Sequence, residues 1–219
     1  MICFLIFALY TAFPERKDSL LFSNDAVIYD SSGSLGIYVN GKCEKTRPEY
    51  VSTRDRKTDW CSNIVTEKNQ KPWISFHIRN QFFELTGFSL RNGCCDYLCC
   101  CDETGEIYAD AVDGCCTLYS FSLEGSNDNE TWTTIHKEEK VKNFYACESR
   151  TFEFPKTKEY KYIRLNQDEP YPGCFNCIQI NQIELYGKTT TNSMSYDDND
   201  DDNDESVSII GKVSRNDVE

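Results

Sequence analysis

The sequence predicts an all-β domain, an antiparallel sandwich or barrel carrying a cysteine-rich loop. Three observations lead there. Short apolar-alternating runs recur along the middle of the chain with turn residues between them. No segment holds a helical period over three turns. Of 13 cysteines in 219 residues, seven fall between positions 94 and 116.

Taken in order, the first clear strand is Trp73-Ile74-Ser75-Phe76-His77-Ile78, whose alternation places Ile74, Phe76 and Ile78 on one face. Residues 85–90 form a second strand. Residues 119–123 form a third, with Tyr119, Phe121 and Leu123 inward. Gly125-Ser126-Asn127-Asp128-Asn129 supplies turn chemistry before the β-rich stretch 131–136. Residues 151–154 and 160–165 add two more strands. The last run, 178–186, has Ile178 and Ile180 out of phase with Ile183 and Leu185. A one-residue bulge near Asn181-Gln182 restores a single inward face. Many short strands in succession fit one sandwich or barrel domain.

Composition bounds the function. The chain has 23 basic and 36 acidic side chains, a formal charge of −13. An acidic surface repels nucleic acid and anionic membrane, so neither is an expected partner. The segment 189–219 holds nine acids and two bases, hence −7, and leaves −6 for the rest. Like charges at that density cannot bury a core, which predicts a disordered acidic tail. Its Asp run lacks the Gly turn and distal Glu of a calcium loop. No cofactor is expected; structural calcium is compatible with the composition but is indicated by no motif.

Residues 1–13 (MICFLIFALYTAF) are uncharged and apolar, and charged residues follow directly. The run is shorter than the ~20 residues of a spanning helix and is expected to be a signal peptide. Without Cys3, twelve cysteines remain: Cys43, Cys61, Cys94, Cys95, Cys99, Cys100, Cys101, Cys115, Cys116, Cys147, Cys174 and Cys177. An even number at this density in a secreted or lumenal chain is expected to form disulfides, in a pairing that spacing cannot assign. Two alternatives stand beside this. Cys95-x3-Cys99 with Cys115-Cys116 gives partial zinc spacing but lacks paired CxxC units. Cys174-Phe175-Asn176-Cys177 is a lone CxxC without a βαβ setting.

Several motifs together resemble the discoidin domain, also called the coagulation-factor type C domain. Trp73-Ile74-Ser75-Phe76-His77-Ile78 followed by Leu85-Thr86-Gly87-Phe88-Ser89-Leu90 is similar to that family's "WLQVDL … ITGI" pair. Tyr119-Ser120-Phe121-Ser122-Leu123-Glu124-Gly125-Ser126-Asn127-Asp128-Asn129-Glu130-Thr131-Trp132 resembles its "Y-x-h-x-x-S-x-D-G-x-x-W" stretch. Tyr162-Ile163-Arg164-Leu165 matches its "R-Y-I-R-h" strand with Lys161 in place of Arg, and Ile183-Glu184-Leu185-Tyr186-Gly187 matches its terminal "h-E-L-Y-G". The resemblance spans about 115 residues. It implies a galactose-binding-like antiparallel β-sandwich, an eight-stranded jelly roll over residues 20–187, acting as a binding module rather than an enzyme. Trp132 and the tyrosines have the bulk to fill such a core.

In that family ligands sit on loops at the end away from the termini. Carried over by position, the loop following 83–90 and its neighbours bring forward Arg47, Tyr50, Arg54, Arg56, Arg91, Asp96, Tyr97, Tyr108, Tyr171 and Phe175. The arginines offer a fork for a sugar carboxylate or phosphate, and the aromatics a stacking face. Carbohydrate is the expected ligand. The alternatives are a protein partner reached through the loop or tail, and anionic phospholipid, which lacks a basic cluster to draw it. Asn129-Glu130-Thr131 is an N-glycosylation sequon in a turn. His77 and His136 are the only histidines, both in expected strands. No nucleophile or phosphate-loop motif appears, so no catalysis is expected, while paired carboxylates for sugar hydrolysis stay open.

Overall fold

The computed structural model describes residues 20–21, 26–67, 69–95, 99–101 and 115–191. The expected signal peptide lies outside these residues. So do Asp96, Tyr97 and Tyr108, and the acidic tail beyond Thr191.

Twelve strands occur among the described residues: β1 (Val27–Ser31), β2 (Gly36–Val39), β3 (Lys42–Lys45), β4 (Trp60–Cys61), β5 (Trp73–Ile78), β6 (Gln81–Asn92), β7 (Cys100–Cys101), β8 (Ser120–Ser126), β9 (Thr133–Glu138), β10 (Ser149–Glu153), β11 (Tyr162–Glu169) and β12 (Gln179–Thr191). A 3-10 helix, Pro48–Ser52, is the one helical element among them. A five-stranded sheet, β1-β5-β11-β8-β9, packs on a four-stranded sheet, β10-β6-β12-β4. All named pairings are antiparallel, and the two sheets hold nine strands where the resemblance implied eight. A small third sheet, β3-β2-β7, sits at one end.

The core follows from the alternation. Ile74, Phe76 and Ile78 of β5 are all buried, and Phe76 lies opposite Ile163 of β11. The four-stranded sheet answers with Phe83, Leu85, Phe88 and Leu90 of β6 and with Ile180, Ile183 and Leu185 of β12. Each such side chain removed from water contributes roughly 1.5–3 kcal/mol. Phe88 stacks on Phe152 at 4.9 Å and meets His136 edge-on at 5.6 Å, so His136 faces the core. His77 points the other way, against Tyr162.

The phase break in the last strand is resolved as its residues require. Ile180 pairs with Asn92 and Gln182 with Arg91, so Asn181 is the extra residue of a bulge. A second irregularity lies between Tyr186 and Gly187. Gly187 has φ +146°, and a Cβ there would collide with the Glu84 carbonyl oxygen. β6 and β12 outrun the expected 85–90 and 178–186 because they pair with each other as far as Gln81 and Thr191.

Two aromatic placements differ from expectation. Trp132 does not fill the core: it lies outside the five-stranded sheet, with the Arg164 guanidinium 3.8 Å above its ring. The fully buried tryptophan is Trp60, whose Nε1 donates to Ser34 Oγ at 2.9 Å. Tyr119 precedes β8 and meets Tyr171 at a tilt, ring centroids 4.5 Å apart, leaving Leu118 to enter the core.

On the outer face of the four-stranded sheet, the Tyr186 hydroxyl bonds Glu184 Oε2 and Ser89 Oγ, each at 2.8 Å. A hydrogen bond to a charged acceptor contributes about 1.5 kcal/mol. Tyr186→Phe is therefore expected to lower unfolding free energy by about that amount in urea titration, with the m-value unchanged.

Candidate functional site

Six disulfides gather at one end of the sandwich, the end where β12 and β8 begin and β6 finishes. They join Cys43–Cys101, Cys61–Cys100, Cys94–Cys99, Cys95–Cys147, Cys115–Cys174 and Cys116–Cys177. Of the seven loop cysteines, Cys94 and Cys99 bond each other. The other five reach β3, β4 and the segments before β10 and β12. The loop is thus tied to most of the elements around it. All twelve cysteines among the described residues are paired, and Cys174 and Cys177 of the CxxC bond Cys115 and Cys116 rather than each other. Ile37, Leu35, Val39, Ile64 and Ala146 pack against the cystines as a second small core.

A buried carboxylate lies beneath this cluster. Asp59 is fully buried and makes no ion pair among the described residues. Its Oδ2 accepts from the Cys94 amide at 2.6 Å and from Gln179 Nε2 at 2.8 Å, and its Oδ1 from Asn181 Nδ2 at 2.7 Å. Burial raises its pKa from 3.8 to about 6, and these hydrogen bonds oppose the rise. Asn181 is positioned for this by the β12 bulge, and its Oδ1 accepts from Arg91 Nη1 at 2.8 Å. Gly93 lies against the same group: a Cβ there would come 2.5 Å from Asp59 Oδ2.

The residues brought forward from the sequence divide around this end. Arg91 is half-buried on the outer face of β6, and Arg54 and Arg56 are exposed in the loop before β4. Arg47 is exposed ahead of the 3-10 helix, whereas Tyr50 turns inward and packs on the main core. Tyr171 packs at a tilt against Tyr119 on the five-stranded side, and Phe175 nearby is 54% exposed. Asn129 is exposed in the β8–β9 turn at the opposite end.

A cleft of about 560 Å³ opens beside the cystine end, on the five-stranded side. Ser32, Asn63, Lys71, Trp73, Arg164 and Asn166 are among its walls. Ser32 Oγ donates to Asn63 Oδ1 at 2.7 Å and accepts from the Trp73 amide at 3.1 Å, fixing the rim. Arg164 donates to Glu124 Oε2 through Nη2 at 2.7 Å and Nε at 3.2 Å, and Asn166 Nδ2 reaches the same oxygen at 2.7 Å. Lys71 Nζ is held by Asp168 Oδ1 at 2.7 Å. These polar groups are locked by partners before any ligand arrives. An indole beside rigid amide and guanidinium donors is the lining of a small polar-ligand pocket.

Sequence reasoning missed this cleft. Its one legible signal is phase: Trp73 and Arg164 lie on the outward side of strands whose inward residues are Ile74, Phe76, Ile163 and Leu165.

No family model matches the chain, and no curated protein matches it. Solved structures do. The CBM32-1, CBM32-2 and M60 catalytic domains of Clostridium perfringens ZmpB align with a TM-score of 0.54 at 10% identity, covering 78% of this chain and 15% of that one. The CBM32-1 and CBM32-2 domains of the same protein align at 0.50 and 11% identity, covering 78% and 36%. CpGH89CBM32-5 of C. perfringens, solved with GalNAc-β-1,3-galactose, aligns at 0.48 and 11% identity, covering 74% and 96%. CBM32 denotes a carbohydrate-binding module. The first two alignments show the fold, the galactose-binding-like sandwich expected from the sequence.

Proposed function

We propose that this chain is a non-catalytic, discoidin-like module that binds carbohydrate in the cleft beside its cystine end. The observation that carries the reading is the placement of Trp73 next to Arg164, Asn166 and Asn63 in one preformed concavity. The indole takes the apolar face of a sugar ring, and the amide and guanidinium groups bond its hydroxyls. Because Glu124 already orients Arg164 and Asn166, little rotamer entropy remains to be lost on binding. Six disulfides suit a secreted or lumenal protein, and the solved carbohydrate-binding modules that share the fold make glycans the first ligands to try.

The test is calorimetric titration of the oxidised chain with galactose and GalNAc-β-1,3-galactose, backed by a neutral glycan array. Trp73→Ala is expected to weaken binding at least tenfold, which corresponds to about 1.4 kcal/mol, while the melting temperature stays within a few degrees. An array without neutral-sugar signal, or affinity indifferent to Trp73, overturns the reading.

A further inference from the structure

On the four-stranded side of the same end, two guanidinium groups converge on one short segment. The loop before β4 is closed by Asp55, whose Oδ1 accepts from the Lys57 amide at 2.7 Å and whose Oδ2 accepts from Thr58 Oγ1 at 2.8 Å. That turn presents Arg56 outward, where its Nη2 lies 2.9 Å from Cys147 Sγ. Arg91, on the outward phase of β6, donates through Nε to Ser149 Oγ at 3.3 Å and through Nη1 to Asn181 Oδ1 at 2.8 Å. Cys147 and Ser149 are two residues apart, so both cations are fastened to the entrance of β10.

Among the described residues, no carboxylate pairs with either of them. The acids whose charge reaches Arg91 are Glu184 and Asp59. The Glu184 oxygens accept from Gln182 Nε2 at 2.9 Å and from the Tyr186 hydroxyl at 2.8 Å, and Asp59 is buried with its oxygens taken by Cys94, Gln179 and Asn181. Two neighbouring like charges without a shared counter-ion repel. Burial and then the Arg56 charge push the Arg91 pKa down, and the Glu184 and Asp59 charges only partly oppose them. One oxyanion between them relieves that repulsion and takes up the remaining N–H donors in fork geometry.

We propose that Arg56 and Arg91 form a second binding site, for the carboxylate or sulfate group of an acidic sugar. It lies on the opposite sheet from the Trp73 cleft and does not rest on that reading. The choice of an acidic sugar over a membrane follows from charge. With residues 1–188 at −6, long-range attraction to a polyanionic surface is missing, and recognition has to be local, one anionic group at a time.

The experiment is titration of the full oxidised chain with chondroitin 4-sulfate disaccharide, with glucuronic acid, with galactose, and with phosphatidylserine vesicles. Arg56→Gln is the clean variant, since Arg56 is exposed. Arg91→Lys keeps the charge but loses the fork. Arg56→Gln is expected to weaken disaccharide binding at least tenfold, Arg91→Lys several-fold, and galactose binding is expected to change less than twofold in Arg56→Gln. Raising salt from 50 to 300 mM weakens the disaccharide alone.

Acidic-sugar binding that ignores Arg56, or no acidic-sugar binding beside intact galactose binding, overturns the second site only. Arg56-dependent acidic binding without any neutral binding overturns the cleft and leaves this site standing. Equal loss of both sugars in Arg56→Gln with an unchanged melting temperature means a single shared site and overturns the proposal. Vesicle binding that depends on Arg56 while sugars are ignored overturns the choice of ligand.

Discussion

Replacing Cys61 and Cys100 together by alanine is expected to cost about 4 kcal/mol of unfolding free energy. Their bond spans 39 residues of chain and both cysteines are buried. Closing a loop of that length removes about 4 kcal/mol of denatured-state entropy. The bond also sits at a junction. The Cys61 amide donates to Thr46 Oγ1 at 3.1 Å, and its carbonyl accepts from the Leu35 amide at 2.9 Å. Cys61 thus links β4, the β2–β3 hairpin and β7. In guanidinium titration of the oxidised protein the midpoint falls and the slope steepens, because the unfolded chain loses a crosslink and exposes more surface, if the cystine end unfolds with the sandwich. A change below 1 kcal/mol would mean that this end folds as a separate unit, and the cleft beside it would lose its rigid wall. Full reduction has the larger effect, because five of the six bonds join the cysteine-rich loop to separate elements.

The second large effect is the pH dependence carried by Asp59. Its folded pKa is about 6 against an ordinary 3.8. A carboxyl raised on folding binds more protons in the native state than in the unfolded one. Its contribution is therefore fully favourable below pH 4 and is lost as pH rises through 6. Integrated over the window from pH 4 to 7, the loss is about 2–3 kcal/mol. Asp59→Asn removes the titration, although an amide NH₂ then faces donors on Asn181, Gln179 or Cys94. The informative quantity is the difference between the native protein and the variant. It is expected to shift against the native protein by about 2–3 kcal/mol between pH 4 and pH 7 in urea titrations. A pH-independent difference would show that Asp59 keeps an ordinary pKa.

Local pattern carried much of the fold. The inward phase of Ile74, Phe76 and Ile78 was readable because strand geometry alternates side chains without reference to partners. The bulge at Asn181 was readable as well, since Ile178 and Ile180, out of phase with Ile183 and Leu185, can share one core with them only through an added residue. The outward position of Trp132 was not. A tryptophan counts as core by size, but here a cation from another strand offers its ring an alternative site. Tyr119 shows the same limit: one position of slip moved Leu118 into the core and left the ring for Tyr171. Of the site, the cluster of arginines near the loop was legible as a composition of charges. Its division was not: Arg56 and Arg91 meet on one shoulder, while Arg47 lies ahead of the 3-10 helix and Tyr50 packs into the core. Beyond the outward phase of Trp73 and Arg164 the cleft had no linear signature, because Ser32, Asn63, Trp73 and Arg164 come from separate segments.

By itself, then, the sequence determined an antiparallel sandwich, most of its inward faces, its acidic balance and a concentration of cysteines in one loop. Each of these depends on near neighbours along the chain or on simple counts. Only the tertiary structure decided which cysteine bonds which, which carboxylate is buried, and which aromatic and guanidinium groups face each other across a cleft. Those depend on strand order and register, where distant residues come within bonding distance, and periodicity along one strand carries no information about its neighbour across the sheet.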